Sequence, residues 1–238
     1  MMWALFVACA VATLSPCSGA RSPPTSSEVE DVIRHIKDTR RELHGIYGED
    51  VDPSIFSLGV EFFDEKSRQK IVERLMGAFR QGGSFVVAFG GMSDVAGHGN
   101  LFEESYPNVF GRALGGVFAA AGIAFEARNL AMGGVPSYPN SACMGDNFGR
   151  DADVIVWDFR MVEVRDPMKG EMFVRQALMQ ERAPFVCFKR RNAYLKDLDY
   201  AHGAGALHVV DETEAYRRLV KLRAGKGGEI PNFKGSYL

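Results

Sequence analysis

A single serine stands in a glycine-rich segment directly after a short apolar run. The run covers residues 85–89, Gly90 and Gly91 follow it, and Ser93 comes two residues later. An apolar run of this length predicts a buried parallel strand, and the glycines allow a sharp turn at the edge where open α/β sheets bind ligands. Ser93 therefore occupies the position of a nucleophile. An ordinary glycine-rich turn explains this segment alone equally well.

The elements around this serine alternate between helix and strand. Ser27 and Glu30 have the spacing of a capping box ahead of a first helix that runs to about His44. Further helices are expected after Asp64, near Pro107, over 171–181 and over 211–222, and strands over 84–89, 123–128, 153–158, 185–188 and 206–210. Helical crossovers of this length predict an α/β protein, a three-layer α/β/α sandwich with a mostly parallel five-stranded sheet of the flavodoxin-like type.

Three loops are expected to converge at one edge of that sheet, and their content is similar to a known superfamily. The blocks are Gly91-Met92-Ser93, 96–100 (AGHGN), 105–107 (SYP) and 128–133 (RNLAMG). Over residues 84–163 the chain resembles the SGNH, or GDSL-type, hydrolases, and within them an uncharacterised eukaryotic branch. The resemblance implies that Ser93 is the nucleophile of an esterase and that the loop from Asn129 to Gly134 completes its oxyanion hole.

The residues of these loops fit the chemistry that such a site needs. A serine hydroxyl attacks only when a base takes its proton, and the resulting oxyanion must meet donors that already point at it. We expect the amide of Ser93 and that of Gly133 or Gly134 to be these donors, while Asn129 either orients the loop or donates from its side chain. A simple tight turn at the glycine pair is the alternative.

The chain departs from the superfamily pattern at two places. At the end of the strand at 153–158 the expected Gly-x-Asn block is replaced by a segment with Asp158 and Arg160, which we regard as residues that line the site. The expected Asp-x-x-His block has a counterpart in Asp199 and His202, although it precedes the fifth strand. His98, close to Ser93, is the alternative base or a loop residue.

The ends of the sequence carry separate expectations. Residues 1–20 contain no charged side chain and an apolar block too short for a stable membrane span, which predicts a signal peptide, a linker over 21–27 and a secreted or lumenal protein. An organellar leader or a signal anchor is the alternative. The hydrolase-like domain is expected over 28–225 and an irregular tail over 226–238, where the chain looks interrupted before the block that carries the acid and the histidine.

The composition of the chain limits the classes of partner and cofactor that we expect it to bind. The formal net charge is −2 over 238 residues, which gives no support for a nucleic-acid surface. No Cys and His spacing indicates a metal site, and no cofactor is expected. Cys143 and Cys187 either pair or remain buried thiols, and the oligomeric state is left open.

These residues and their spacing are compatible with three functions. The first is a serine esterase for a small-molecule or carbohydrate acyl ester. The second is an impaired or truncated domain on the same scaffold that binds a carbohydrate or a partner without turnover. The third is a phosphate-binding α/β domain, which the sequence disfavours because the turn at Gly90 and Gly91 lacks the lysine of a P-loop.

Overall fold

The computed structural model describes residues 22, 24–47, 65–159, 162–163, 166–189 and 207–210. The α-helices in this part of the chain are α1 (Ser26–Tyr47), α2 (Glu65–Gln81), α3 (Ser93–Ala96), α4 (Tyr106–Ala120), α5 (Met144–Phe148) and α6 (Pro167–Leu178). The strands are β1 (Ser84–Gly91), β2 (Ala124–Asn129), β3 (Val154–Asp158), β4 (Phe185–Lys189) and β5 (Leu207–Val210). The helix expected over 211–222 lies outside the described residues.

The five strands form one parallel sheet in the order β2-β1-β3-β4-β5. The predicted α/β fold with a parallel sheet is therefore confirmed. Because β2 and β3 lie on opposite sides of β1, the chain changes direction across the sheet next to β1. In open α/β sheets the crevice at the carboxyl ends of the strands beside such a reversal is the usual ligand site. Ser93 follows β1 at this place.

Apolar side chains cover both faces of the sheet because alternate residues of a strand point to opposite sides. One core contains Phe85, Val87 and Phe89 of β1 and packs against α2 and α4. The other contains Ala88 with Ile155 and Trp157 of β3 and packs against α5 and α6. The result is the three-layer arrangement expected from the alternation of helices and strands.

Two helix starts differ from the sequence prediction. The capping box of α1 is formed by Thr25 and Glu28: the Thr25 amide donates to Glu28 Oε2 at 2.7 Å and the Glu28 amide donates to Thr25 Oγ1 at 3.3 Å. Ser27 lies inside the first turn, so the Ser27 and Glu30 prediction was two residues late. Helix α6 begins at Pro167, four residues before the predicted start, because proline is well suited to the first helical position.

Candidate active site

Packing requires the glycines at the end of β1. A Cβ on Gly90 would lie 2.6 Å from the Phe148 ring, and a Cβ on Gly91 would lie 2.3 Å from Val95 Cγ2 and 3.0 Å from the Asp158 carbonyl oxygen. Neither glycine has a positive φ, and both still belong to the strand. The sharp turn predicted at this pair is absent, and its glycines instead allow α3 and α5 to approach the strand closely.

Ser93 is the first residue of α3, a single helical turn that follows β1 directly. The amide of Met132 donates to the Gly91 carbonyl at 3.1 Å, and this bond holds the loop after β2 against the end of β1. As a consequence, a Cβ on Gly133 would lie 3.6 Å from Ser93 Cβ. The structure therefore brings the predicted nucleophile and the predicted oxyanion glycine together.

The geometry around Asn129 favours an orienting role. Its Nδ2 donates to the Val95 carbonyl at 3.2 Å and to Ser105 Oγ at 3.0 Å, and its Oδ1 accepts the Ala131 amide at 3.2 Å. These bonds tie the loop after β2 to α3 and to the residue before α4. Of the two interpretations left open by the sequence, the first accounts for all three contacts.

The backbone amides of Gly133 and Gly134 differ from those of their neighbours in their hydrogen bonds. Within the described residues, the amides of Gly133 and Gly134 donate to no other backbone group, whereas the flanking Leu130 and Met132 amides bond to β1 carbonyls. Gly134 has a φ of 72°, a conformation that suits glycine. The glycine pair therefore has amide hydrogens that a bound oxyanion could accept.

Asp158 ends β3 and pairs in register with Gly91, which places it below the serine loop. Its side chain is 1% exposed, and the Tyr106 hydroxyl donates to Asp158 Oδ2 at 3.4 Å. Burial, and then the negative charge of Asp158, raise the pKa of Tyr106 above its ordinary value. The tyrosine thus stays protonated and donates. Asp158 belongs to the interior beneath the site and is not on its solvent-facing rim.

His98 lies beyond the far end of α3. Gly97 turns the chain with a φ of 91°, and the His98 amide donates to the Ser93 carbonyl at 2.7 Å. The imidazole is exposed. Among the described residues, no side chain, that of His98 included, hydrogen-bonds to the Ser93 hydroxyl. Arg160, Asp199 and His202 lie outside the described residues, so their roles stay predictions.

Several buried polar residues of the site were not assigned roles from the sequence. Ser105 and Tyr106 belong to the Ser-Tyr-Pro block, whose presence was the only signal for them. Ser137 and Glu163, both fully buried, hydrogen-bond to each other across 26 positions of sequence. Pairings of this kind carry no local spacing signal, so only the fold reveals them.

Other sequence expectations concern metals, thiols and membranes. In the described ranges, no group of three or more His, Cys, Asp or Glu side chains is placed to hold a metal ion. Cys143 and Cys187 are both free thiols in this structure, but Cys143 is exposed and Cys187 is only partly buried, so the expectation of two buried thiols was wrong. None of the described helices has the length and apolar character that a membrane crossing requires.

Comparison with known proteins adds one structural likeness. No protein-family model matches the chain, and no curated protein matches it in sequence. A solved structure of a two-domain esterase active on acetylated mannans, crystallized with mannopentaose, superposes with a TM-score of 0.47 and 18% identity. The match covers 66% of this chain and 45% of that protein, so the chain spans less than half of its length. At this similarity the likeness carries no argument about activity, and the class that is established is an α/β protein with a parallel sheet.

Proposed function

We propose that the protein is a serine hydrolase of the SGNH type that cleaves an acyl ester with Ser93 as the nucleophile. The observation that carries this proposal is the placement of Gly133 against Ser93 at the carboxyl edge of the sheet. Acyl transfer needs a hydroxyl that attacks the carbonyl carbon and amide donors that stabilise the charge on the carbonyl oxygen, and these two kinds of group are adjacent here.

In the proposed reaction, Ser93 Oγ attacks the ester carbonyl and a base takes the hydroxyl proton. The negative charge that develops on the carbonyl oxygen is stabilised by the amide of Gly133 or Gly134 and by that of Ser93. The alcohol then leaves with a proton from the base, and a water molecule releases the acid from the acyl-enzyme by the same steps. His202, oriented by Asp199, is the proposed base, with His98 as the alternative.

The substrate class and the location belong to the same proposal. We propose that the substrate is an acyl ester of a small molecule or of a carbohydrate. We also propose that the segment at 1–20 is a leader that directs the protein to a secreted or lumenal location. Comparing the hydrolysis of acetate and butyrate aryl esters with acetate release from an acetylated polysaccharide measures the substrate preference. Sequencing the amino terminus of the protein recovered from culture medium tests the leader.

A fluorophosphonate probe tests the nucleophile directly. The probe should phosphonylate Ser93 with loss of fluoride, mass spectrometry should place the label on the peptide containing Ser93, and Ser93→Ala should lose both the label and ester turnover. A correctly folded protein that takes up no label contradicts the hydrolase and favours a binding domain without turnover. Comparing His202→Ala with His98→Ala identifies the base, and turnover unchanged in both variants would exclude both histidines.

A further inference from the structure

A buried carboxylate accepts hydrogen bonds from the loop that carries Gly133. Glu163 follows β3 and its side chain is fully buried. Glu163 Oε1 accepts the Ser137 amide at 2.5 Å and the Ser137 hydroxyl at 2.7 Å, and Oε2 lies 3.0 Å from the same hydroxyl. One carboxylate thus takes both the backbone and the side-chain donor of a single residue in the loop after β2.

Among the described residues, hydrogen bonds hold this loop on both sides of its glycine pair. On its amino side, the amides of Leu130 and Met132 donate to the Phe89 and Gly91 carbonyls at 3.0 and 3.1 Å. On its carboxyl side, the loop is attached through Ser137. The glycine pair 133–134 lies between the two attachments, and it has no side chains of its own with which to fix its conformation. The direction of its amides therefore depends on both ends being held.

Glu163 accepts these hydrogen bonds in an interior that disfavours its charge. Burial raises the pKa of Glu163 above its ordinary value, and this effect exceeds the opposite effect of the two hydrogen bonds from Ser137. The contact nevertheless matters to the loop, because an apolar side chain in place of Glu163 would leave the buried Ser137 amide and hydroxyl without this acceptor. The pair thus fixes the carboxyl side of the loop through two buried donors of one residue.

We propose that Glu163, acting through Ser137, is a positioning residue that aims the Gly133 amide at the oxyanion formed on the substrate. The inference rests on the proposed function. Donors of an oxyanion hole act because they are fixed before the charge develops, so releasing one attachment of the loop should weaken stabilisation of the transition state more than binding of the substrate.

The test compares two buried serines of the same segment in the full chain. Ser137→Ala removes the hydroxyl bonded to Glu163. Ser141→Ala removes a hydroxyl that is equally buried and has no hydrogen-bond partner among the described residues. Ser137→Ala should lower kcat for an aryl ester, and the rate of phosphonylation, by about tenfold or more, while KM changes less than about twofold, since removal of a whole oxyanion donor costs about 10²–10³-fold. Ser141→Ala should match the wild type in both.

Two variants of the glutamate keep the test decisive if Ser137→Ala fails to fold. Glu163→Gln retains an oxygen acceptor for Ser137 and should keep most of kcat, whereas Glu163→Met, of similar volume, loses the acceptor of both the amide and the hydroxyl and should lower kcat at least as much as Ser137→Ala. The double variant Ser137→Ala with Glu163→Met should be no slower than Glu163→Met alone, because that variant already removes the acceptor of both the Ser137 amide and the Ser137 hydroxyl.

The outcomes separate the two proposals. A folded wild-type protein that takes up no fluorophosphonate contradicts the hydrolase itself. A wild type that is labelled at Ser93, together with Ser137→Ala and Glu163→Met variants that are labelled equally fast, leaves the hydrolase standing and overturns the role of Glu163. Losses that appear in KM and not in kcat also overturn it.

Discussion

The two ends of the parallel sheet are closed in different ways. At the amino end, the fully buried carboxylate of Asp153 accepts the Val86 amide at 3.0 Å and ion-pairs with Arg74 and Arg182. Its backbone also bonds to Val86 and to Phe185, so one residue joins the starts of three strands. At the carboxyl end, the Asn129 side-chain amide and the Glu163 carboxylate hold separate loops around Ser93.

The two ends differ in the donors that each carboxylate accepts. Asp153 accepts from one backbone amide and two guanidinium groups, whereas Glu163 accepts from the amide and the hydroxyl of Ser137. The amino end gathers charges around one acceptor, and the Arg74 guanidinium additionally donates to the Ala183 carbonyl. Burial lowers the pKa of Arg74 and raises that of Asp153, so in both groups desolvation outweighs the attraction between them. At the carboxyl end, Asn129 and Glu163 fix the loops on either side of the glycine pair. The amino end joins the starts of three strands, whereas the carboxyl end leaves the amides of the glycine pair 133–134 in a position to bind a ligand.

Removing the Asp153 carboxylate at the amino end of the sheet should cause the largest loss in the free energy of unfolding. Asp153→Ala leaves the Val86 amide without its acceptor and two guanidinium groups without their counter-charge. Removing one partner of a buried ion pair costs about 3–5 kcal/mol, and we expect about 3 kcal/mol because both arginines are partly exposed. Urea unfolding followed by circular dichroism measures this loss.

Two comparisons sharpen the result. Asp153→Asn keeps an oxygen for the Val86 amide and should cost about half as much. Under conditions where Asp153→Ala remains folded, the fraction of protein labelled by the fluorophosphonate should equal that of the wild type. A selective loss of labelling would show that the two ends are coupled and would contradict the division of roles between them.

At the carboxyl end, Asn129→Ala should affect both stability and turnover. The variant loses two donated hydrogen bonds and one accepted bond, for which we expect about 2 kcal/mol in the free energy of unfolding. Because these bonds hold the loop of Gly133 against α3, kcat should also fall by about tenfold, a partial loss of oxyanion stabilisation.

Asn108 supplies the matched control for this change. Its Nδ2 also donates to a loop carbonyl, that of Phe102, at 2.7 Å, but it lies on α4 in an exposed contact. Asn108→Ala should change stability by less than about 0.5 kcal/mol and leave kcat unaltered. Equal kcat values for Asn129→Ala and the wild type would refute the orienting role of Asn129.

The fold could be predicted from the sequence because the same signal, an apolar run next to a segment of helical periodicity, recurs along the chain. Five apolar runs separated by helical periodicity define a parallel sheet, and the placement of the glycine segments after β1 and β2 predicted that Ser93 and Gly133 would meet. Local competition explains the errors: Thr25 and Glu28 have the same capping spacing as Ser27 and Glu30, and Pro167 starts α6 earlier than the apolar pattern suggests.

The parts of the site that the sequence missed are those with no periodic signal. Ser137 and Glu163 lie 26 residues apart, and neither position shows a motif that would mark it as buried. Asp158 is the last residue of a strand, which suggested that it lines the site, but its side chain is turned inward to Tyr106. Side-chain direction at the end of a strand depends on the packing of neighbouring loops, which a linear pattern does not record.

The smallest effect expected is the pH dependence of Glu163, which separates its contribution from that of the uncharged loop contacts. Because the pKa of Glu163 is raised in the folded state by burial, the folded protein binds this proton more tightly than the unfolded chain does. Its contribution to stability is then fully present below the ordinary glutamate pKa of about 4.3 and is lost as the pH rises through the folded pKa.

In Glu163→Gln this proton does not exist, so the free energy of unfolding of the wild type minus that of the variant should fall as the pH rises from about 4 and then become constant. Urea unfolding of both proteins across this range measures the difference, in which the titration of Asp166, Lys169 and all other shared groups largely cancels. A difference that rises with pH would mean that the hydrogen bonds from Ser137 dominate over burial. The carboxylate of Glu163 would then stabilise the fold in its charged form, in contrast to Asp153, whose pKa is raised by burial.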